Sequence, residues 1–241
     1  MAEQQQKAAH GRRAAGHQQD GHDKSGPRKG GQEKTRSGGL AEYHRRRDFS
    51  RTREPSGRPA AGPGEREAPA GETHRFVIQL HDATRMHFDF RLEVDGVLKS
   101  WAVPKGPSDD PQVKRLASPT EDHPLEYAEF EGTIPKGEYG GGTVIIWDEG
   151  DYRNLTTDRR GHEVPMDRAL RDGHASFWMD GARLHGGWSL TRMEKPGQKE
   201  AWLLVKRSDE RSGKGAAPAT PRRARSARTG RTLGQVAREE G

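Results

Sequence analysis

The chain has 241 residues, 29% of them hydrophobic and 32% charged, with 31 glycines, 15 prolines and a net charge of +6. So polar a chain cannot bury all of itself, and one domain of ordinary size with unfolded flanks is expected. The lack of cysteine excludes disulfides and thiolate metal sites. No apolar run reaches the length of a membrane span and the N-terminus has no signal-peptide core, so a soluble protein of the cytoplasm is expected.

In chain order, residues 1–39 have no aromatic side chain and carry eight Lys/Arg against four Asp/Glu, which predicts a disordered basic tail. A domain is expected over 40–210. It opens on Leu40-Ala-Glu-Tyr43-His-Arg-Arg-Arg47-Asp48-Phe49, with Leu40, Tyr43 and Arg47 near helical spacing. Residues 50–57 read as extended and turn-like, and 58–72 as a flexible Ala/Gly/Pro/Glu linker within the domain. Alternating apolar runs predict strands at 74–81, 86–94 and 97–103, the last two joined by an Asp95-Gly96 turn, with a weaker one at 126–134. Further strands are expected at 143–148, 174–180, 187–193 and 201–207, and a short helix at 166–172 stopped by Gly173. Gly137-Glu-Tyr139-Gly140-Gly-Gly142 lacks the Lys-Ser/Thr of a phosphate loop and reads as a bend that helps a barrel close. Residues 211–241 hold eight Lys/Arg and two Glu and read as a second disordered basic tail. The body between the tails then holds 26 basic and 30 acidic groups, so the positive charge belongs to the tails. Many short strands without a βαβ rhythm predict an all-β antiparallel barrel or sandwich with one or two short helices.

Residues two apart on a strand share a face. His87, Asp89, Arg91 and Glu93 therefore lie on one side of their strand and Phe88, Phe90, Leu92 and Val94 on the other, which must be buried. Gln79 and His81 share a face of the preceding strand, and hairpin pairing brings His81 beside His87. Two imidazoles and a carboxylate form a mixed N/O set suited to manganese, iron or zinc, with positions open for water and substrate. Arg91, Lys105 and Arg115 supply cations fit for a phosphate, and His123 is a general acid or a further phosphate donor. A His-x-Asp with another histidine also resembles the facial triad of iron oxygenases.

From Leu40 to about Arg207 the chain resembles the 3′-phosphoesterase domain of bacterial DNA ligase D, the end-joining ligase, and its free-standing relatives. The resemblance rests on Arg47-Asp48-Phe49 with Glu54-Pro55, and on His81-Asp-Ala-Thr-Arg-Met-His87-Phe-Asp89-Phe-Arg91 continuing through Trp101 to Lys105-Gly-Pro. Glu121-Asp-His123-Pro-Leu-Glu-Tyr127 and Ile146-Trp147-Asp148 complete it. It implies a compact antiparallel β-barrel and a manganese-dependent two-step hydrolysis. A 3′-terminal ribonucleoside is removed to leave a 3′-phosphate, and the phosphate is then removed to leave 3′-OH for repair ligation. The resemblance implies that His81, His87 and Asp89 bind the metal, and that Arg91, His123, Lys105 and Arg115 hold the phosphate. Gln79 and Tyr127 match further active-site positions, and Arg47, Asp48 and Glu54 favour removal of the ribonucleoside. Met86 stands where leucine is more usual, a nearly volume-neutral change. No polymerase or ligase module fits in this length, so the implied partners are DNA 3′ ends, with a separate DNA ligase D and an end-binding protein in trans. The protein is expected to be a monomer associated with the nucleoid, and the alternative to an end-healing enzyme is a non-catalytic DNA-end or ligase-binding module.

Overall fold

The computed structural model describes residues 39–57, 73–193, 197, 199–210, 212–213 and 221–240. The expected linker at 58–72 and, but for Gly39, the expected N-terminal tail lie outside these residues.

Antiparallel hairpins build the sheet. β1 (His74–Asp82) pairs with β2 (His87–Val94), and β2 pairs with β3 (Val97–Val103) across Asp95 and Gly96. Both turn residues have positive φ, 51° and 75°, as a two-residue turn between right-twisted strands demands. The turn sets the register: Val94 faces Val97, so Arg91 faces Ser100. The others are β4 (Arg115–Pro119), β5 (Gly132–Ile134), β6 (Gly142–Asn154), β7 (His174–Gly181), β8 (His185–Met193) and β9 (Ala201–Lys206). The neighbour order is β1-β2-β3-β4-β9-β8-β7-β6, and β6 returns to β1, so eight strands close into a barrel.

β6 closes the barrel. One edge of its 13 residues pairs with β1, and the other takes β5 at its start and β7 at its end. Ile78 of β1 faces Asp148 while Gln79 faces Ile146, so Trp147 is the extra residue of a bulge that bends the strand. Gly142 begins β6 at φ 146°, where a Cβ would sit 2.4 Å from the Asp82 carbonyl oxygen. Only glycine fits there, as the expected closing bend requires.

Alternate residues along the strands, among them Phe76, Ile78, Leu80, Phe88, Phe90, Leu92, Trp147, Phe177 and Trp188, fill the barrel. A second apolar layer lies on the other face of β1 and β6: Val77, Val144 and Ile146 pack with Tyr43, Leu98, Tyr127, Phe130 and Ile134. Tyr43 comes from α1 (Ala41–Arg45), where the helix was expected, and Tyr127 from a 3-10 turn, Leu125–Glu129. The weak strand expected at 126–134 is therefore this turn followed by the three residues of β5. α2 (Met166–Asp172) ends where expected, at Gly173 with φ 90°. Sequence reading missed β4, which is short, charged at its start and ended by Pro119.

The C-terminal expectation needs correction. Residues 221–240 are not a disordered tail: a 3-10 turn at Pro221–Arg223 leads to α3 (Leu233–Glu240), whose Leu233 and Val236 are buried in the barrel's apolar cluster. This arm occupies the stretch of β6 edge left free between β5 and β7. The Ile146 carbonyl accepts from Ala227 N–H at 2.8 Å, and the Ile146 N–H donates to Glu131 at 2.8 Å. Charge draws the arm onto an acidic surface: Arg228 pairs with Glu149 at 2.6 Å, Arg231 with Glu131 at 3.3 Å and Arg222 with Asp82 at 2.8 Å. Part of the basicity ascribed to the tails thus belongs to the folded domain.

Candidate active site

Hairpin pairing places His81 opposite His87 and Gln79 opposite Asp89. The donor atoms of His81, His87 and Asp89 all lie within 4.8 Å of one another. Their side chains leave the outer face of the barrel wall, because Leu80, Phe88 and Phe90 take the inner one. The Asp89 carboxylate bridges the rings, with Oδ2 3.5 Å from His81 Nδ1 and Oδ1 3.6 Å from His87 Nε2.

The three fit a divalent metal. His87 Nδ1 lies 2.8 Å from the Arg85 carbonyl oxygen, so Nδ1 carries the hydrogen and the Nε2 lone pair turns toward Asp89. His81 Nε2 is buried with no hydrogen-bond partner, an orphan that an ion would satisfy. Burial opposes ionisation of Asp89, but Arg91 and the two histidines outweigh it and hold the carboxyl well below the usual range. Burial also opposes charge on His87, yet the hydrogen bond and charge of Asp89 raise its pKa on balance.

Arg91 joins this cluster to a second. It is 3% exposed, with Nη2 3.3 Å from Asp89 Oδ2. Its Nε donates to Gln79 Oε1 at 2.8 Å and Nη1 to Ser100 Oγ at 2.9 Å, and its guanidinium carbon stands 4.8 Å from the centre of the Tyr127 ring. Arg91 Nη1 is 2.9 Å from His123 Nδ1, and Arg47 Nη2 is 3.3 Å from His123 Nε2. In either tautomer the bare ring nitrogen accepts from a guanidinium. Burial, then the charges of Arg91 and Arg47, push His123 well below an ordinary histidine, so the ring is neutral.

Arg47 is equally enclosed. Nε donates to Glu54 Oε1 and Nη1 to Glu121 Oε1, each at 2.9 Å, and the guanidinium lies over Tyr43 at 3.9 Å. Glu54 Oε1 also accepts from the Tyr127 hydroxyl at 3.0 Å. Gln79 Nε2 donates to the carbonyls of Tyr127 and Phe130, both at 3.0 Å. Buried ions survive only when paired in this way.

The structure thus brings nine of the expected residues into one network: His81, His87, Asp89, Arg91, His123, Arg47, Glu54, Gln79 and Tyr127. Asp48, Lys105 and Arg115 stand apart. Asp48 is exposed and accepts from Ser50, closing a turn. Lys105 is exposed just past β3, with no hydrogen bond or ion pair among the described residues. Arg115 faces Leu204 and shares the barrel-lining side of Ala117, not the Asp89 side, and its Nε is buried without a partner. Sequence reasoning passed over Ser100 and Glu121. The Asp95-Gly96 turn register would have found Ser100 opposite Arg91, and Glu121 sits in the quoted Glu-Asp-His-Pro motif.

Residues 79–192 match the family described as the DNA ligase D 3′-phosphoesterase domain. The multifunctional non-homologous end joining protein LigD of Pseudomonas aeruginosa is 52% identical over 170 residues, which cover 70% of this chain and 19% of that protein. The DNA repair protein of that name in Mycobacterium tuberculosis is 44% identical over 175 residues, covering 73% of this chain and 20% of the relative. The Mycolicibacterium smegmatis protein is 38% identical over 179 residues, 73% of this chain and 21% of the relative. The chain therefore spans about a fifth of the length of these relatives. Through residues 79–192 the chain belongs to the DNA ligase D 3′-phosphoesterase domain family.

Proposed function

We propose that the domain is a manganese-dependent phosphoesterase that heals DNA 3′ ends in non-homologous end joining. Water adds at phosphorus and the bond to the 5′ oxygen of a terminal ribonucleoside breaks, releasing the nucleoside and leaving a 3′-phosphate. A second water then releases inorganic phosphate and leaves 3′-OH. The observation that carries this reading is the 3.3 Å approach of Arg91 to Asp89, which ties the metal-ligand set to the buried cations.

His81, His87 and Asp89 would hold the metal, which supplies Lewis-acid polarisation of a phosphoryl oxygen and an acidified water when bound. The network's own charge suits an anion once that ion is in place. Two guanidiniums (Arg47, Arg91) face three carboxylates (Asp89, Glu54, Glu121), and a divalent ion turns this net single negative charge positive. Arg91 then binds non-bridging phosphate oxygens. His123 is kept neutral by burial and then by two guanidiniums, and a bound phosphate dianion offsets the field of the guanidiniums. The ring can then hold a proton against a phosphoryl or leaving oxygen, the state a general acid requires. Gln79 and Tyr127 position Arg91, while Arg47, Asp48 and Glu54 form the side that favours a ribonucleoside. Lys105 is exposed and completes no bond among the described residues, so substrate can recruit it, whereas Arg115, on the barrel-lining side, reaches the phosphate only if its side chain turns out of the wall.

Among the described residues no helix is long and apolar enough to cross a membrane. A cytoplasmic monomer working on DNA ends, beside a DNA ligase D module and an end-binding protein, is the setting this reading requires. Purified protein with manganese and primer–templates ending in a 3′-phosphate or 3′-ribonucleotide tests it. The expected products are free phosphate and nucleoside. Binding without turnover would favour an end-binding module, and oxygen-dependent turnover an iron oxygenase.

A further inference from the structure

The glycine run between β5 and β6 carries Tyr139, one of the few large apolar side chains exposed on the domain, at 43%. The run is pinned down and not a loose bend. Two tight turns hold it, Glu138 N–H to the Pro135 carbonyl at 3.1 Å and Gly141 N–H to the Glu138 carbonyl at 3.0 Å. Its neighbour Gly140 abuts the metal-ligand set, since a Cβ there would lie 4.0 Å from His81 Cε1. The Tyr139 hydroxyl donates to Glu121 Oε2 at 3.3 Å and accepts from Arg46 Nη1. The guanidinium carbons of Arg46 and Arg47 lie 4.7 and 5.5 Å from the ring centre. Both guanidiniums stand over the ring, and the residue still keeps 43% of its surface open to solvent.

We propose that Tyr139 is the stacking platform for the base of the 3′-terminal nucleoside. This rests on the phosphoesterase reading, which brings a terminal nucleoside to this rim. Three features argue for it. A tyrosine with both ends of its hydroxyl anchored is already ordered, so a base laid on it meets little further entropy cost. The ring adjoins Arg47 and Glu121, which reach the phosphate-binding His123, and a Cβ at its backbone neighbour Gly140 would come within 4.0 Å of His81. It therefore lies on the rim where the nucleoside beyond the scissile phosphate would leave the site. Stacking on an aromatic face accepts any base, as an enzyme trimming ends of arbitrary sequence needs.

The test uses the full chain and primer–templates ending in a single ribonucleotide whose base is 2-aminopurine, a fluorophore quenched by stacking. Wild type should quench it, and Tyr139→Phe, which keeps the ring but not its hydroxyl anchors, should keep most of the quench and bind only slightly more weakly. Tyr139→Ala should lose the quench, with KM for ribonucleoside removal raised about tenfold, the scale of one base–aromatic stack, and kcat little changed. Release of a 3′-phosphate, which presents no terminal nucleoside beyond the reacting phosphate, should be unaffected. A substrate whose terminal ribose lacks a base should bind wild type and Tyr139→Ala equally. If Phe loses as much as Ala, Tyr139 is only a hydroxyl clamp for Glu121 and the proposal fails. It also fails if Tyr139→Ala still quenches normally while the enzyme cleaves. Tyr139-dependent quenching without any cleavage would keep the platform and sink the phosphoesterase reading instead, and absence of both quenching and cleavage overturns both.

Discussion

Gln79 holds Arg91 from behind. Its Oε1 accepts Arg91 Nε at 2.8 Å while its Nε2 is spent on the Tyr127 and Phe130 carbonyls. The amide, fully buried, is both the stop that aims a cation at Asp89 and the bolt that fixes the 3-10 turn to β1. Gln79→Ala strands the Phe130 carbonyl and one guanidinium N–H, while the Tyr127 carbonyl keeps the Phe130 N–H at 3.1 Å. Each buried orphan costs about 1–3 kcal/mol, so a loss of at least about 2 kcal/mol in urea denaturation is expected, together with a fall in phosphate release. Unchanged stability and turnover in this variant would remove Gln79 from any positioning role.

His87 behaves differently, because its side chain is 23% exposed and packs no core. His87→Ala should leave the thermal midpoint within a few degrees of wild type but abolish manganese binding, read by electron paramagnetic resonance, and phosphate release with it. Chelation of wild type by EDTA should reproduce the kinetic defect, and added manganese should rescue wild type alone. A metal-binding, active His87→Ala protein would refute the ligand assignment.

Glu54 tests the ribonucleoside side of the network. Glu54→Gln keeps its shape but removes the charge paired with Arg47 Nε. Hydrogen bonds to charged groups contribute about 1.5–3 kcal/mol, so ribonucleoside removal should fall roughly tenfold or more. Release of a 3′-phosphate should fall less. Equal losses on the two substrates would make Glu54 a general scaffold residue.

The site was legible where local rules suffice. Period-two alternation put His87, Asp89 and Arg91 on one face, and a single hairpin brought His81 to His87. The long-range part was hidden. Nothing local says that Arg47, from a segment before the linker, ends against His123, 76 positions later. Lys105 and Arg115 looked equivalent to Arg91 as charges, but β4 went unseen, and its alternation turns Arg115 to the barrel-lining side with Leu204. The C-terminal arm escaped for want of apolar residues. Leu233 and Val236 are its only large buried apolar side chains, and the stretch of β6 edge that the arm joins is free only because β5 and β7 leave it unpaired.

Asp148 gives the domain a measurable pH signature. Its carboxylate accepts backbone N–H groups of Glu149 (3.0 Å), Arg183 (2.8 Å) and Leu184 (2.9 Å) and so clamps the β7–β8 connection onto the β6 bulge. Burial still dominates and pushes its pKa up to about 6 from 3.8. The folded state thus binds this proton more tightly than the unfolded chain does. Its contribution to stability falls as pH rises between about 4 and 6, by up to about 1.4 kcal/mol per pH unit, and is constant above that. Urea midpoints of Asp148→Asn measured across this window should lack that downward component. Parallel slopes in wild type and variant would show that the carboxyl is not perturbed.

The C-terminal arm makes the sharpest contrast with what composition suggests. A disordered basic tail tolerates any substitution, whereas a docked helix does not. Leu233 is 4% exposed, and it and Val236 are the apolar anchors of α3 in the barrel cluster. Leu233→Ala should cost about 2–5 kcal/mol if the site cannot collapse. For a domain of this size that lowers the midpoint by roughly 2–4 °C per kcal/mol. Arg231→Ala is the control for the electrostatic part. Its bonds to Glu131, Glu239 and Glu240 are partly exposed, so the loss should be smaller and shrink further in 1 M salt, while the Leu233 deficit persists. Thermal scans of both variants in low and high salt therefore separate apolar docking from charge attraction, and two variants indistinguishable from wild type would return the arm to the status of a tail.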